Sequence, residues 1–450
     1  MGRLFGTDGA RGVANRELTC ELAMNIGRAA AKVRISAEHR RPKILVGKDT
    51  RASGDMLETA LAAGLCSVGA EVYMLGVVPT PAVAYLVKKY GAQAGVMISA
   101  SHNPCEYNGI KIFSGEGYKL SDALEEEIEA IVLDGAEELP CPEGGDVGRV
   151  RMCDTAVDDY VQHLLTVADV DLKGMKIAVD CANGSASTTA RKLFAALGAD
   201  ALILNDQPDG VNINDNCGST HIDNLGAFVK EHGCFAGVAF DGDADRCLAV
   251  DENGVVVDGD QIMAALALDM KQNGELSGNA VVGTVMSNLG FRRCCEKHDI
   301  LPVATKVGDR YVLEEMLKQG YALGGEQSGH IILLKHATTG DGQMSAVKLL
   351  TACRRQQKAL SDLCGVMDKY PQVLKNLRVT NDQKAAFTQS TPIADAIAAA
   401  DQSLGEDGRI LVRLSGTEPL IRVMAEAQEQ RVAEACVNEM IDAIKAEGLA

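Results

Sequence analysis

The chain contains no tryptophan, and aromatic residues make up only 4% of it, so stacking on nucleobases or sugar rings is not well provided for. Basic residues are also in deficit. The 44 Lys and Arg stand against 62 Asp and Glu, a formal net charge of -18, which excludes the basic face that nucleic-acid binding needs to displace counterions. Small anions held by local donors are not excluded. No apolar run approaches the roughly 18 residues of a membrane span, and the opening MGRLFGTDGARG lacks the apolar core of a signal peptide. The 14 cysteines include no CxxC pair, and Cys66, Cys181 and Cys234 sit in apolar segments as small hydrophobes, which argues against a disulfide framework or a zinc site. These absences describe a cytoplasmic protein with no nucleic-acid or membrane partner.

What is present is a soluble globular composition, 46% hydrophobic and 24% charged, over 450 residues. At roughly 150 residues per domain, that length implies about three domains, with two to four allowed. From Lys43 the pattern alternates: KILVG as a strand, 55–68 as a helix, EVYML as a strand, 81–89 as a helix, and then the strand running into Ser101. The acidic, Pro/Gly-rich stretch 135–148 reads as a linker. The rhythm then repeats. Helices fall near 156–166, 187–197 and 224–231, and strands at KIAVD, ALILN and AGVAF. A third block has helices at 261–271 and 311–319, with strands AVVGT and LPVATK. A charged helical segment near 354–368 leads to a last block of different order, an α+β domain.

Four loops carry chemistry. Residues 95–113, GVMISASHNPCEYNGIKIF, are an apolar strand discharging into small polar residues closed by Pro104. Asn103 is restricted by that proline, so the loop can hold Ser101 in one pose, while Lys111 between two isoleucines points away from their core and back toward the loop. His102 is a poor base for Ser101, because adjacent side chains diverge in an extended segment. In DGDADR, Asp241, Asp243 and Asp245 repel one another by about 1 kcal/mol per pair at about 4 Å in water and by more when buried, so the cluster calls for a cation. All-oxygen ligation selects a hard ion such as Mg²⁺. An EF-hand loop would need glycine at the sixth position, which Arg246 occupies. In GGEQSGH, alternation aims Glu326, Ser328 and His330 at one face, suited to polyol hydroxyls; a hydrogen-bonded turn is the equal alternative. RLSGTEPLIR offers a nest of backbone N–H groups at Ser415, Gly416 and Thr417 between Arg413 and Arg422, suited to phosphate; a hairpin turn whose arginines pair with Glu418 or Glu426 is the plainer alternative.

FGTDGARG, SASHNP, DCANG (180–184), NINDNCGSTH (212–221), DGDADR, GEQSGH, TTGDG and SGTEPLIR, in this order along the whole chain, resemble the α-D-phosphohexomutases. The resemblance implies three mixed α/β blocks, 1–150, 151–252 and 253–366, and a fourth domain, 367–450, that closes over a central cleft. It implies a phosphoryl group on Ser101, one Mg²⁺ held by Asp241, Asp243, Asp245 and the phosphoserine, and sugar contacts from Glu326, Ser328 and His330, with Asp309 and Arg310 of VGDR nearby. Lys111, Arg246 and Arg11 match acid/base and phosphate-stabilising positions, and the SGTEP loop matches the clamp for the phosphate not being transferred. The implied activity is interconversion of the 6- and 1-phosphates of a hexose through a sugar 1,6-bisphosphate. FGTDG, Gln327 and VGDR look like the amino-sugar branch, with mannose or glucose phosphates as alternatives. Lys48 stands in KDTR where arginine is common, and Leu414 precedes SGTEP where proline or lysine is frequent. The partner is a small sugar phosphate, and a homodimer stays open.

Overall fold

The structure, a computed structural model, describes residues 3–6, 8–34, 41–415 and 419–450. They form two compact units, one of Met1–Met286 with Ile300–Val366 and one of Ser287–Asp299 with Met367–Ala450.

The first unit repeats one sheet motif three times. In the first sheet, Lys43–Lys48 runs parallel to Glu71–Val77 on one side and to Ala94–Ile98 on the other, and Ala94–Ile98 turns back into antiparallel Tyr107–Ser114. The second sheet has the same order: Lys176–Asp180 between Asp200–Leu204 and Ala236–Phe240, followed by Cys247–Val250. The third sheet again has it, with Ala280–Thr284 between Leu301–Thr305 and Leu323–Gly325, followed by Ile331–Leu333. Each three-strand parallel motif thus closes with a hairpin, and the three hairpin loops are SASHNP, DGDADR and GEQSGH. Ligand loops belong at the carboxyl ends of parallel strands, and this topology puts each motif there. The repeat expected from the sequence is real at the level of architecture.

The buried strands are almost wholly apolar, as strands covered on both faces must be; Ile44, Leu45 and Val46 are fully buried. On one face, helices Cys20–Arg34 and Ala52–Ser67 cross where Gly27 and Gly64 meet backbone. A Cβ on Gly64 would lie 2.1 Å from the Met24 carbonyl oxygen, so only glycine allows this approach. Helix Cys20–Arg34 and strand Ala10–Val13 lie in a stretch to which the sequence reading assigned no elements. The linker leads into Val150–Met152, which pairs with Glu71–Val77, so the first sheet extends past it. The helix expected over 354–368 is instead the end of Gly342–Gln356 and a short Leu360–Cys364, because Gln357 adopts φ 54 and stops the longer helix.

The second unit is an antiparallel sheet, Gln372–Arg378, Leu420–Ala427 and Gly408–Leu414, backed by helices Thr391–Leu404 and Gln430–Ala446. Segment Ser287–Asp299, which carries helix Leu289–Lys297, joins it through buried Glu426. That carboxylate accepts from Asn288 Nδ2 (3.1 Å), Leu289 N (2.8 Å), Gln372 Nε2 (2.7 Å) and Arg409 Nε (2.6 Å).

Candidate active site

Ser101 sits at the tip of the first hairpin with φ 53, a left-handed backbone that costs a non-glycine residue on the order of 1 kcal/mol. Its surroundings hold it there. The Ser101 N–H donates to Ser99 Oγ (2.9 Å), and its carbonyl accepts from Arg51 Nη2 (3.1 Å) and Asn214 Nδ2 (3.0 Å). The same two donors reach the Asn103 carbonyl, at 2.5 and 3.2 Å. The Ser101 hydroxyl donates to Asp241 Oδ2 at 2.5 Å across the boundary between the first and second blocks. The left-handed turn also brings His102 Nδ1 to 3.4 Å from the hydroxyl, closer than the extended geometry expected from the sequence would allow. Burial, helped by the Arg246 and Arg11 charges, pushes His102 down to about 4, so the ring is neutral at ordinary pH.

The second hairpin presents the three aspartates. One carboxylate oxygen from each of Asp241, Asp243 and Asp245 lies within 4.8 Å of the others, and all three residues are buried. Gly242 between them fits because a Cβ there would stand 2.6 Å from the Ser101 carbonyl oxygen. Asp243 Oδ2 accepts from Lys111 Nζ (2.8 Å) and Thr80 Oγ1 (2.7 Å). Burial raises all three carboxyls, and repulsion adds to it at Asp241 and Asp245, whereas at Asp243 the Lys111 charge wins and holds the group below its ordinary range. Asp243 Oδ1 and Asp245 Oδ1 are buried with no hydrogen-bond donor. Converging, repelling oxygens with two orphaned atoms fit a hard divalent cation. The DGDADR loop is not an EF-hand, since a strand rather than a helix follows it, and Glu252 accepts from Ser361 N at 3.3 Å.

Around this cluster the lysine and aspartate charges alternate in sign, with the His330 ring beside them. Lys111 Nζ lies 2.8 Å from Asp243 and 3.1 Å from Asp8; Lys119 Nζ lies 2.6 Å from both Asp8 and Asp309; His330 Nε2 lies 3.6 Å from Asp309 and 3.9 Å from Asp245. Arg11 pairs with Asp8, and Arg246 Nε lies 3.8 Å from Asp245. The Gly340 N–H donates to His330 Nε2 at 3.3 Å, which assigns the ring proton to Nδ1. Asp309 Oδ1 accepts from Arg310 N, and Arg310 pairs with Asp122 and donates to the Leu120 carbonyl (2.8 Å), so both side chains are engaged with their own loop and the first block. Residues 326–330 form a hydrogen-bonded turn, with Gly329 at φ 91 donating through N to the Glu326 carbonyl (2.9 Å), the plainer of the two readings of this loop. Glu326 Oε1 instead accepts from Gly308 N (3.1 Å), and Ser328 is half-buried on the same turn.

Lys119 was missed by sequence reasoning, as were Asp8, Thr80, Asn214 and the Asp49–Arg51 pair. Asn214 and the pair lie in motifs already quoted, but their partners are more than 40 residues away. Lys119 is a lone lysine in GYKL with no local signal. Replacing it by the neutral methionine leaves Asp8 and Asp309 facing each other. Lys119→Met is expected to lose about 2–3 kcal/mol in urea unfolding, with Lys119→Arg recovering most of it. Lys48, the departure in KDTR, donates to Asp55 and Glu58 at 2.5 Å each, so its single ammonium serves two carboxylates.

The TTGDG motif buries Asp341, which caps helix Gly342–Gln356 through Met344 N (2.9 Å) and accepts from Tyr160 Oη (2.8 Å). Burial pushes its carboxyl up to about 7. The folded state therefore keeps a proton that the unfolded chain loses, and stability falls as pH rises from about 4 to about 7, with the full cost present above that. Asp341→Asn should match wild type in urea midpoint near pH 4 and exceed it at pH 8 by up to about 4 kcal/mol.

In the second unit, Arg413 and Arg422 are direct partners on neighbouring antiparallel strands. Burial and the Arg422 charge push Arg413 below its ordinary value, and like charges placed opposite each other call for an anion. Glu426 is occupied as described above. Ser415 is buried, its N–H donating to the Leu420 carbonyl (2.9 Å) and its carbonyl accepting from Lys384 Nζ (2.8 Å). Gly416, Thr417 and Glu418 lie outside the described residues.

Four sequence-family matches cover most of the chain: phosphoglucomutase/phosphomannomutase α/β/α domain I over residues 2–138, domain II over 158–254, domain III over 258–370 and the C-terminal domain over 374–443. A phosphoglucosamine mutase of Acetivibrio thermocellus is 54% identical over 445 residues, 99% of each chain, and one of Clostridium novyi is 55% identical over 430 residues, 96% of each. Among solved structures, a phosphoglucomutase/phosphomannomutase family protein from Burkholderia thailandensis aligns with TM-score 0.82 and 26% identity, covering 98% of this chain and 97% of that one. The N-acetylphosphoglucosamine mutase of Aspergillus fumigatus, solved with GlcNAc-6P and magnesium, aligns with TM-score 0.66 and 18% identity over 98% and 95%, a likeness of fold. No helix among the described residues is long and apolar enough to cross a membrane.

Proposed function

The chain belongs to the phosphoglucomutase/phosphomannomutase family, and from that premise we propose that it is a phosphoglucosamine mutase, an isomerase interconverting glucosamine 6-phosphate and glucosamine 1-phosphate. The observation that carries this reading is the Ser101 hydroxyl donating to Asp241 at the three-carboxylate cluster. Ser101 is the phosphoryl carrier. Its P–Oγ bond breaks as a bond forms from phosphorus to the free sugar hydroxyl, and the hydroxyl proton ends on Oγ. The bisphosphate then turns over, and the other phosphoryl group returns to Ser101. Such transfers depend on positioning and on charge placed where the equatorial oxygens need it.

Asp241, Asp243 and Asp245, with the Ser101 phosphoryl group, would hold one Mg²⁺. When bound, it neutralises phosphoryl oxygens as a Lewis acid. Lys111 is kept cationic by Asp243 and Asp8 against the cost of burial, which suits a group that carries charge beside the leaving serine oxygen. Arg246 and Arg11 add positive charge. Glu326, Ser328 and His330 read sugar hydroxyls in both orientations, and Asp309 and Arg310 hold the loop that supports Glu326. Arg413, Ser415, Gly416, Thr417 and Arg422 take the phosphate not being transferred. Segments 1–150, 151–252, 253–366 and 367–450 divide these tasks: phosphoserine, metal, sugar and phosphate clamp. We place the reaction in the cytoplasm, with a sugar 1,6-bisphosphate as activator.

Purified protein with Mg²⁺ and a trace of sugar bisphosphate should interconvert the two glucosamine phosphates, stop on addition of EDTA and resume with excess Mg²⁺. Faster turnover of mannose or glucose phosphates would reassign the substrate. Release of inorganic phosphate as the main product would make the protein a phosphatase.

A further inference from the structure

A cavity of ≈ 330 Å³ lies between helices Thr80–Lys89 and Ala156–Leu165 and the loop 334–341, and it shares no lining residue with Ser101 or the three aspartates. In a chain of net charge -18 it is lined by three ammonium groups, Lys88, Lys89 and Lys335. Lys89 pairs with Asp159 (2.8 Å) and Lys335 lies 3.6 Å from Glu275, while Lys88 is exposed and has no ion-pair partner among the described residues. The acids on the wall are Glu116, which is exposed, and Asp341, whose carboxyl is turned to Tyr160 and Met344 and is partly protonated near pH 7. A flat ring platform is present too, a local exception to the scarcity of aromatic residues in the sequence. The Tyr85 and His163 rings stack at 3.9 Å with 9° between their planes, and His163 Nε2 donates to the His336 carbonyl (3.0 Å). Burial keeps both histidines below their ordinary values, so the platform is uncharged. Lysines are point charges suited to phosphate, stacked rings suit a planar base, and the volume is at the lower end of small-molecule sites, about 300–1,000 Å³.

The two walls lead to the metal loop from opposite sides. At the far end of the first helix, about 12 Å from Lys88 at 1.5 Å per residue, Thr80 donates through N to the Asp243 carbonyl (2.9 Å) and through Oγ1 to its carboxylate (2.7 Å). The loop 334–341 runs into Gly340, which donates to His330, and then into Gly342, whose N–H donates to the Ala244 carbonyl (3.0 Å). A molecule filling the cavity touches both braces of DGDADR.

We propose that this cavity is a regulatory site for an aromatic phosphate monoester the size of a nucleoside monophosphate, coupled to cation binding through helix Thr80–Lys89 and loop 338–342. The coupling rests on the assignment of the aspartates as the cation site; the binding does not. Calorimetric titration of the full chain with uridine 5′-monophosphate tests it. The expected result is one saturable site with Kd below about 1 mM, weakened at least about tenfold in Lys88→Glu/Lys335→Glu and unchanged in Ser101→Ala. Inorganic phosphate, lacking a ring, should bind at least about tenfold more weakly. Saturating nucleotide should move the Mg²⁺ titration midpoint by about fivefold or more, and Mg²⁺ should move the nucleotide Kd by the same factor. Absence of saturable binding, binding unaffected by the double variant, or displacement of the nucleotide by glucosamine 6-phosphate overturns the site. Binding that leaves the Mg²⁺ midpoint unmoved overturns the regulation.

Discussion

Ser101→Ala is expected to lose at least about four orders of magnitude of mutase turnover, because removing a covalent carrier leaves no alternative route through the same geometry. The change is small in volume, and alanine meets the same left-handed backbone cost as serine, so the loop that Arg51 and Asn214 hold should stay folded. What disappears is the oxygen 2.5 Å from Asp241. Intact-mass measurement should find one phosphoryl group on active wild-type protein and none on the variant, with far-ultraviolet circular dichroism unchanged. Retention of more than about 1% of turnover, equivalent to a barrier change under about 3 kcal/mol, would remove Ser101 from the chemistry.

The largest effect on stability is expected from Arg51→Met. Arg51 and Asp49 are a fully buried ion pair, and the guanidinium also donates to the Ser101 and Asn103 carbonyls. Burial raises Asp49, and the Arg51 charge is the main opposing influence. Without it a carboxylate remains in the interior with its counter-charge gone, a loss of about 3–5 kcal/mol in urea unfolding. Arg51→Met/Asp49→Leu should regain most of that stability, because an apolar pair of similar volume replaces a buried ion pair at little cost. It should not regain turnover, since two of the four hydrogen bonds on the Ser101 loop carbonyls are still missing. Equal stability of the single variant and wild type would show the pair to be dispensable.

Much of the candidate site was legible before any coordinates. Asp241, Asp243 and Asp245 sit at alternate positions in six residues, and Ser101 follows an apolar strand within a turn cluster, so their proximity within each loop is a local matter. The helix Cys20–Arg34 was equally local, with Glu21 in its first turn, Lys32 and Arg34 in its last, and Ala23, Ile26 and Ala30 buried at helical spacing, yet no element was assigned there. At 326–330 the sequence left an alternating face and a hydrogen-bonded turn open, because alternation in a segment this short does not distinguish a hairpin tip from an extended run.

Lys119, Asp8 and Arg51 lay beyond reach for a different reason. Lys119 meets Asp309 across 190 residues, Asp8 meets it across 111, and Arg51 reaches Ser101 across 50. By itself the sequence determined the fold class, the fourfold division and the family, because each is written in short-range periodicity, turn chemistry and motif order. Only the tertiary structure decided that three equivalent hairpins bring Ser101, the aspartates and Glu326 to the ends of matching sheets, and which charges neutralise which. Ion pairing between distant residues follows from strand order and sheet contact, and those depend on how the whole chain buries its apolar surface.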